Sequence, residues 1–147
     1  IRREYGIAIG ERTAEEIKIA IGSAWPVDDD VRAEVRGRDL MSGLPKTVIL
    51  TTPEVREAIA EPVTAIIESV ISCLGNAPPE LAHDLIGQGM YLVGGGGMLK
   101  GLDVRISVET DIPVTLVEQP LEAVVYGAGR CIERYDDLKV MFMGGRP

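Results

Sequence analysis

Tyr91-Leu92-Val93-Gly94-Gly95-Gly96-Gly97-Met98-Leu99-Lys100 reads as a strand, a tight turn and the start of a helix. Glycine carries no Cβ and tolerates positive φ, so a run of four lets the backbone approach another group closely. At the end of a buried strand that group is often a nucleotide, lying against the N–H groups of the next helix. A glycine-rich β–α corner needed only for packing has the same appearance, and the run alone does not separate the two. Two phosphate-binding patterns are excluded. No Gly-Lys-Ser/Thr follows at phosphate-loop spacing, and in the dinucleotide fingerprint the third glycine position falls on Leu99.

Upstream of the run, Pro78-Pro79-Glu80 opens a helix carrying Leu81, Ala82, Leu85 and Ile86. Gly87-Gln88-Gly89 ends it, and a strand is expected over 90–93. Downstream, 98–109 is expected to be a helix, although Val104, Ile106 and Val108 alternate like a strand. A strand is expected over 112–117 in spite of Pro113. Pro120 opens a helix through Leu121, Val124, Val125, Ala128 and Ile132, where Gly127, Ala128 and Gly129 leave a side-chain-poor face. Residues 136–147 are expected to form a loose tail.

Toward the other end, Ile7-Ala8-Ile9 is a short apolar run ending at Gly10. Thr13 with Glu16 forms the pattern of a capping box. Ala14, Ile17 and Ile21 then share one helical face, with Gly22 as the stop. Glu15 and Lys18 are i,i+3 neighbours on this helix, placed for a solvated ion pair. Trp25-Pro26 and Asp28-Asp29-Asp30 read as a loop. Val31, Ala33 and Val35 alternate with Arg32, Glu34 and Arg36, and the β-branched run 46–51 supplies the antiparallel partner of a hairpin. Thr52-Pro53-Glu54 reads as N-cap, first-turn proline and first-turn acid. The apolar face from Val55 to Leu74 is interrupted by Pro62, which should kink or split the helix.

The 147 residues are one domain's worth of chain, 46% hydrophobic and 26% charged, with only Trp25, Phe142 and four tyrosines as aromatics. The core must therefore come from Ile, Val, Leu and Ala. A net charge of −8 with scattered cations disfavours nucleic acid as a partner. Cys73 and Cys131 read as small buried hydrophobes, without metal-ligand spacing or a disulfide framework. His83, the lone histidine, has no identifiable partners for a Ser/His/Asp set or a metal site. No catalytic residue and no metal ligand is assigned. No segment approaches the length of a membrane span. Two strands, at 90–93 and 112–117, are too few to cover four or five helices, so other segments or a partner are expected to complete that sheet.

Several segments together resemble the MreB/Mbl family, the bacterial actin homologues. They are Gly10-Glu11-Arg12-Thr13-Ala14-Glu15-Glu16-Ile17-Lys18 with Ile21-Gly22-Ser23-Ala24, then Val35-Arg36-Gly37-Arg38-Asp39-Leu40 with Gly43-Leu44-Pro45. Glu54-Val55-Arg56-Glu57-Ala58, Glu61-Pro62-Val63, Pro78-Pro79-Glu80-Leu81-Ala82 and Gly94 to Gly97 follow in the same order. Gly101-Leu102-Asp103, Glu109-Thr110, Ile112-Pro113-Val114, Pro120-Leu121 and Gly127-Ala128-Gly129 complete a match over nearly the whole chain. Gly97 replaces the family's usual Ala or Ser, and 104–108 replaces a more Leu- and acid-rich helical stretch.

The resemblance implies an α/β, actin-like (RNase H-like) ATPase fold, present in part as a portion of the second domain. Residues 1–22 and 61–135 would belong to the larger RNase H-like subdomain. Residues 23–60 would form a small hairpin-based outer subdomain, and 136–147 a flexible tail. Glu15, Glu16, Ile17 and Lys18 match positions near the adenine and ribose, and Gly94, Gly95, Gly96 and Gly97 match the adenosine turn. ATP or ADP with magnesium is the implied cofactor. The family's phosphate loops and magnesium site lie outside the matched half, so this chain alone is expected to bind ATP weakly or not at all and to hydrolyse none. The opening Ile1-Arg2-Arg3-Glu4-Tyr5 is expected to come from a longer protein or a short paralogue. The implied role is cytoskeletal: part of a cytoplasmic filament subunit directing wall synthesis and cell shape. Its partners would be itself, full-length MreB and a membrane-associated wall-synthesis complex. Two alternatives stand beside it, a non-polymerising module docking on full-length MreB filaments and a fragment of a sugar-kinase-type phosphotransferase.

Overall fold

The computed structural model describes residues 1–28 and 31–142; Asp29 and Asp30 of the acidic loop and residues 143–147 of the expected tail lie outside them. The elements in the first half are α1 (Arg2–Tyr5), β1 (Ile7–Ala8), α2 (Glu11–Ile21), β2 (Arg32–Asp39), β3 (Pro45–Thr51), α3 (Thr52–Ala58) and α4 (Ala60–Gly75). They continue with α5 (Pro79–Gln88), β4 (Met90–Leu92), α6 (Gly94–Gly97), α7 (Leu102–Thr110), β5 (Val114–Leu116), α8 (Ala123–Glu133) and α9 (Tyr135–Phe142).

Strands β1, β2 and β3 form an antiparallel sheet in that order, with Val35 opposite Val48 and Ala33 opposite Leu50. The two-residue period of a strand sends Val35, Val48 and Leu50 to one face and leaves Arg32, Glu34 and Arg36 exposed on the other. On the apolar face Val35, Val48 and Leu50 bury with Ile7, Ile17, Ile21 and Val55. Helix α2 starts two residues before the expected Thr13 cap, with Gly10 as N-cap and no side-chain cap. Thr13 is thereby inside the first turn, and Glu16 pairs with Arg12, one turn earlier, at 2.9 Å. Gly22 ends the helix as expected, its N–H donating to the Lys18 carbonyl.

The hairpin turn is organised by Asp39. Its Oδ1 accepts from the Ser42 amide (2.8 Å), the Met41 amide (3.0 Å) and the Ser42 hydroxyl (3.0 Å), and Oδ2 faces Lys46 Nζ at 3.3 Å. These donors, the Ser42 amide foremost, favour the ionised carboxylate and lower its pKa from 3.8 to about 2. At the far end of β3 the capping box falls on Thr51, one residue before the expected Thr52. Glu54 Oε2 accepts from the Thr51 amide (2.8 Å) and hydroxyl (2.7 Å). Glu54 Oε1 accepts from the Tyr5 hydroxyl, which ties α1 to the start of α3. That hydrogen bond pushes the Tyr5 phenol up and holds the Glu54 carboxyl down.

The split expected from Pro62 is present, but three residues earlier: α3 and α4 meet at Ile59 with a 58° bend. The Pro62 ring would collide with the carbonyl four residues back, that of Ala58, so the helix must break there. Beyond the bend, Val63 and Ile67 of α4 bury with Ala24, Leu102 and Ile106, flanked by Met90, Leu92 and Val114. The parallel pair β4–β5 aligns Met90 with Val114 and Leu92 with Leu116. Both strands are shorter than the sequence suggests. The Val104–Ile106–Val108 alternation resolves as helix α7, where Leu102 and Ile106, four residues apart, are buried and Val104 and Val108 exposed.

Residues 1–22 share a core with the hairpin and α3: Ile7 pairs with Asp39, and Ile17 and Ile21 pack on β2 and β3. Tyr135–Phe142 is helical. The reading of Cys73 as a buried hydrophobe is corrected. Cys73 is exposed, since the apolar face of α4 turned to the core is that of Val63 and Ile67. Among the described residues no single helix is long and apolar enough to cross a membrane.

Ile67 has no exposed surface, so Ile67→Ala should lower unfolding free energy by ~2–5 kcal/mol in urea titration. The exposed neighbour Ile66 should tolerate alanine within about 0.5 kcal/mol. Because Asp39 titrates lower in the folded chain than when unfolded, its contribution is complete above its ordinary pKa of 3.8 and is lost as pH falls toward 2. Thermal melts of Asp39→Asn should lack that part of the acid limb.

Candidate functional site

The glycine run closes into the single helical turn α6, and its four members differ in what they do. Gly94 has φ +79°, a left-handed conformation that a side chain would strain, and its N–H donates to the Pro120 carbonyl at 2.8 Å. Gly97 is buried, and a Cβ there would lie 2.8 Å from Leu92 Cγ. Gly95 would place a Cβ 3.3 Å from Leu121 Cδ2. At Gly96 a Cβ would meet nothing within 4 Å, and its φ is not left-handed. Backbone geometry and packing account for Gly94 and Gly97. They give no reason for the missing side chain at Gly96, whose exposed backbone is open to an approaching group.

The α2 positions also separate. Glu15 and Lys18 form an ion pair at 2.7 Å, about half exposed. Ile17 is 7% exposed and packs into the hairpin core, so its side chain supports the helix. Glu16 lies on the side toward β2, along a groove of about 590 Å³ shared with Thr13, Ala20, Ala33 and Arg36. Of the four residues on α2 drawn from the resemblance, the structure therefore brings Glu15 and Lys18 together and separates Ile17 and Glu16 from them.

Main-chain contacts connect the end of α2 to the chain just after the glycine turn. Ser23 pairs with Lys100 in a parallel bridge, and the Ala24 amide donates to the Lys100 carbonyl at 2.7 Å. Ser23 is fully buried, and its hydroxyl accepts from Arg56 Nη1 at 3.4 Å. Sequence reasoning missed the Ser23–Lys100 junction and, separately, the Pro120 carbonyl that accepts from the Gly94 amide. Their contacts span long sequence separations and leave no local signal. The side-chain-poor face at Gly127 has no atom within 4 Å of where a Cβ would sit, so no helix among the described residues closes on it. No three His, Cys, Asp or Glu side chains among the described residues are grouped to hold a metal.

The family model for MreB/Mbl protein matches residues 1–140. Cell shape-determining protein MreB of Escherichia coli (strain K12) is 47% identical over 136 residues, which is 92% of this chain and 39% of that protein. Cell shape-determining protein Mbl of Bacillus subtilis (strain 168) is 41% identical over 138 residues, 94% of this chain and 41% of that protein. The crystal structure of MreB5 of Spiroplasma citri bound to ADP superposes with a TM-score of 0.88 at 32% identity, covering 99% of this chain and 43% of that one. The same protein bound to AMPPNP gives 0.87. The chain thus spans about two fifths of the length of these relatives. Its fold is the corresponding part of an actin-like α/β fold, and the chain belongs to the MreB/Mbl family.

Proposed function

We propose that this chain supplies the adenosine side of an ATP cleft in a filament-forming, MreB-like cytoskeletal subunit. The observation that carries the reading is Gly96: an exposed backbone with neither a conformational nor a packing reason to lack a side chain. A nucleotide base or ribose lying on 95–96 supplies that reason. Lys18 and Glu15 offer an amine and a carboxylate for ribose hydroxyls or the adenine edge, while Gly94 and Gly97 shape the turn. The structural likeness to MreB5 in its ADP and AMPPNP complexes supports the same assignment. ATP or ADP with magnesium is the cofactor of this reading, with phosphates and metal held by groups outside these residues.

The role assigned is to direct wall synthesis and cell shape in the cytoplasm, through filaments that reach the membrane by way of partners. Exposed apolar residues on β4, β5 and α8, among them Tyr91, Leu116, Val124 and Val125, favour a second reading. In that reading the chain docks on full-length MreB filaments without polymerising. Co-sedimentation with and without full-length MreB separates the two.

Titration of the ¹⁵N-labelled chain with millimolar ADP should move the amides of Gly95, Gly96, Glu15 and Lys18. Gly96→Leu should weaken that response at least ~10-fold, about 1.4 kcal/mol, with the fold retained. Shifts confined to other regions would reject the assignment. Gly97→Ala should instead lower stability by ~1–3 kcal/mol in denaturant titration, through its collision with Leu92, while Gly96→Ala stays within about 0.5 kcal/mol.

A further inference from the structure

Strand β2 is a central strand for only part of its length. The Thr52 amide donates to the Val31 carbonyl (3.0 Å) and the Asp39 amide to the Leu44 carbonyl (2.9 Å), so the odd-numbered residues of β2 exchange hydrogen bonds with β3. The even-numbered residues therefore turn their N–H and C=O groups to the opposite edge. There β1 pairs only with Arg38 and Asp39, the Leu40 amide donates to the Gly6 carbonyl (2.8 Å), and the chain leaves at Gly10 to enter α2. The main-chain groups of Arg32, Glu34 and Arg36 on that edge have no partner among the described residues. A bare edge of this kind, roughly 13 Å long, is a template for one more strand.

The edge opens onto the groove of about 590 Å³ between β2 and α2, whose far wall is Thr13, Glu16 and Ala20. Helical spacing puts these three on one flank of α2 and Lys18 on the other, across the buried line of Ile17 and Ile21. Glu16 is engaged by Arg12 at 2.9 Å, which leaves Ile17, Ala20 and Ala33 as the apolar lining. The solvent face beside the edge carries Arg32, Arg36 and Arg38 against Glu34 alone, a positive strip in a chain of net charge −8. Glu34 pairs with Arg36 at 3.1 Å, and Arg32 makes no ion pair among the described residues. These charges decide between occupants. A second copy pairing antiparallel through the same edge, about Glu34, would set Arg32 against Arg36 twice and Glu34 against Glu34. A strand carrying acids at the two outer positions meets the arginines with opposite charge.

We propose that an extended segment of a partner protein adds to this edge antiparallel to β2, taking up the line that β1 leaves. Its acidic residues lie opposite Arg32 and Arg36, and the apolar residues between them, opposite Ala33 and Val35, enter the α2 groove. Main-chain bonds to Arg32, Glu34 and Arg36 hold the segment, and the acid–apolar alternation selects it. The site is on the flank of α2 away from Lys18, so it stands apart from the adenosine and filament readings.

The probe is the synthetic peptide acetyl-Ser-Glu-Val-Thr-Val-Glu-Ser-amide, titrated to millimolar concentration into the ¹⁵N-labelled chain. The amides of Arg32, Glu34, Arg36 and Ala20 should shift. N-methylation of the peptide at its threonine and both glutamates, whose N–H groups aim at β2, should abolish the response. N-methylation at the two valines, whose N–H groups aim away, should leave it in place. Arg32→Glu/Arg36→Glu should weaken binding at least ~10-fold, and a peptide with lysine for both glutamates should bind that variant instead. Binding indifferent to which amides are methylated, equal binding of the lysine peptide to the unaltered chain, or no response at millimolar peptide would overturn the proposal. Concentration-dependent shifts of the same amides without peptide would overturn it too, since they would place a second copy on the edge.

Discussion

The amide of Ala24 donates to the carbonyl of Lys100 at 2.7 Å, next to the bridge between Ser23 and Lys100, and the arrangement of the candidate site depends on that crossing. On one side lies the core of α2, the small sheet and α3; on the other lies the core of α4, α7 and the β4–β5 pair. Ser23 is fully buried at the junction, and leaving a buried main-chain donor without its acceptor costs about 1–3 kcal/mol. The crossing joins the end of the Glu15–Lys18 helix to the chain immediately after the glycine turn. Trp25 against Gly101 and Ala24 packed with Leu102 hold the same two segments together.

The turn itself divides labour among four identical residues. Gly94 answers a backbone requirement and Gly97 a steric one imposed by Leu92, while Gly96 has room for a side chain that is not there. The run therefore serves both the packing corner and the open approach that its sequence leaves undecided. The same division appears on α2. Ile17 serves the core, Glu16 is held by Arg12, and Glu15 with Lys18 remains at the surface.

Charge and apolar exposure are distributed in a related way. The hairpin concentrates cations, and the segment from α4 to the glycine turn concentrates acids. The β4–β5 pair and α8 leave Tyr91, Leu116 and Val124 uncovered, because two short strands cannot shield the helices packed around them. Surfaces of this kind are built to be covered by further protein.

The sequence by itself determined the family, through ordered motifs spread across nearly the whole chain, and most of the elements. Alternation at 31–35 and the β-branched run at 46–51 gave the hairpin, Pro62 the break between α3 and α4, and the flanks of the glycine run its β–turn–α character. Each of these signals acts within a few residues. Element boundaries shifted by one or two residues where an equally local partner was used, Arg12 for Glu16 and Thr51 for Glu54. Only the tertiary structure decided that residues 1–22 belong with the hairpin, that Ile17 is core while Glu15 and Lys18 are surface, and that Gly96 alone among the four glycines has open space and an ordinary φ. Those distinctions depend on contacts between residues tens of positions apart, Ile7 with Asp39, Ala24 with Lys100, Gly94 with Pro120. No local periodicity encodes them, because they arise when separately specified elements exclude water from a shared core.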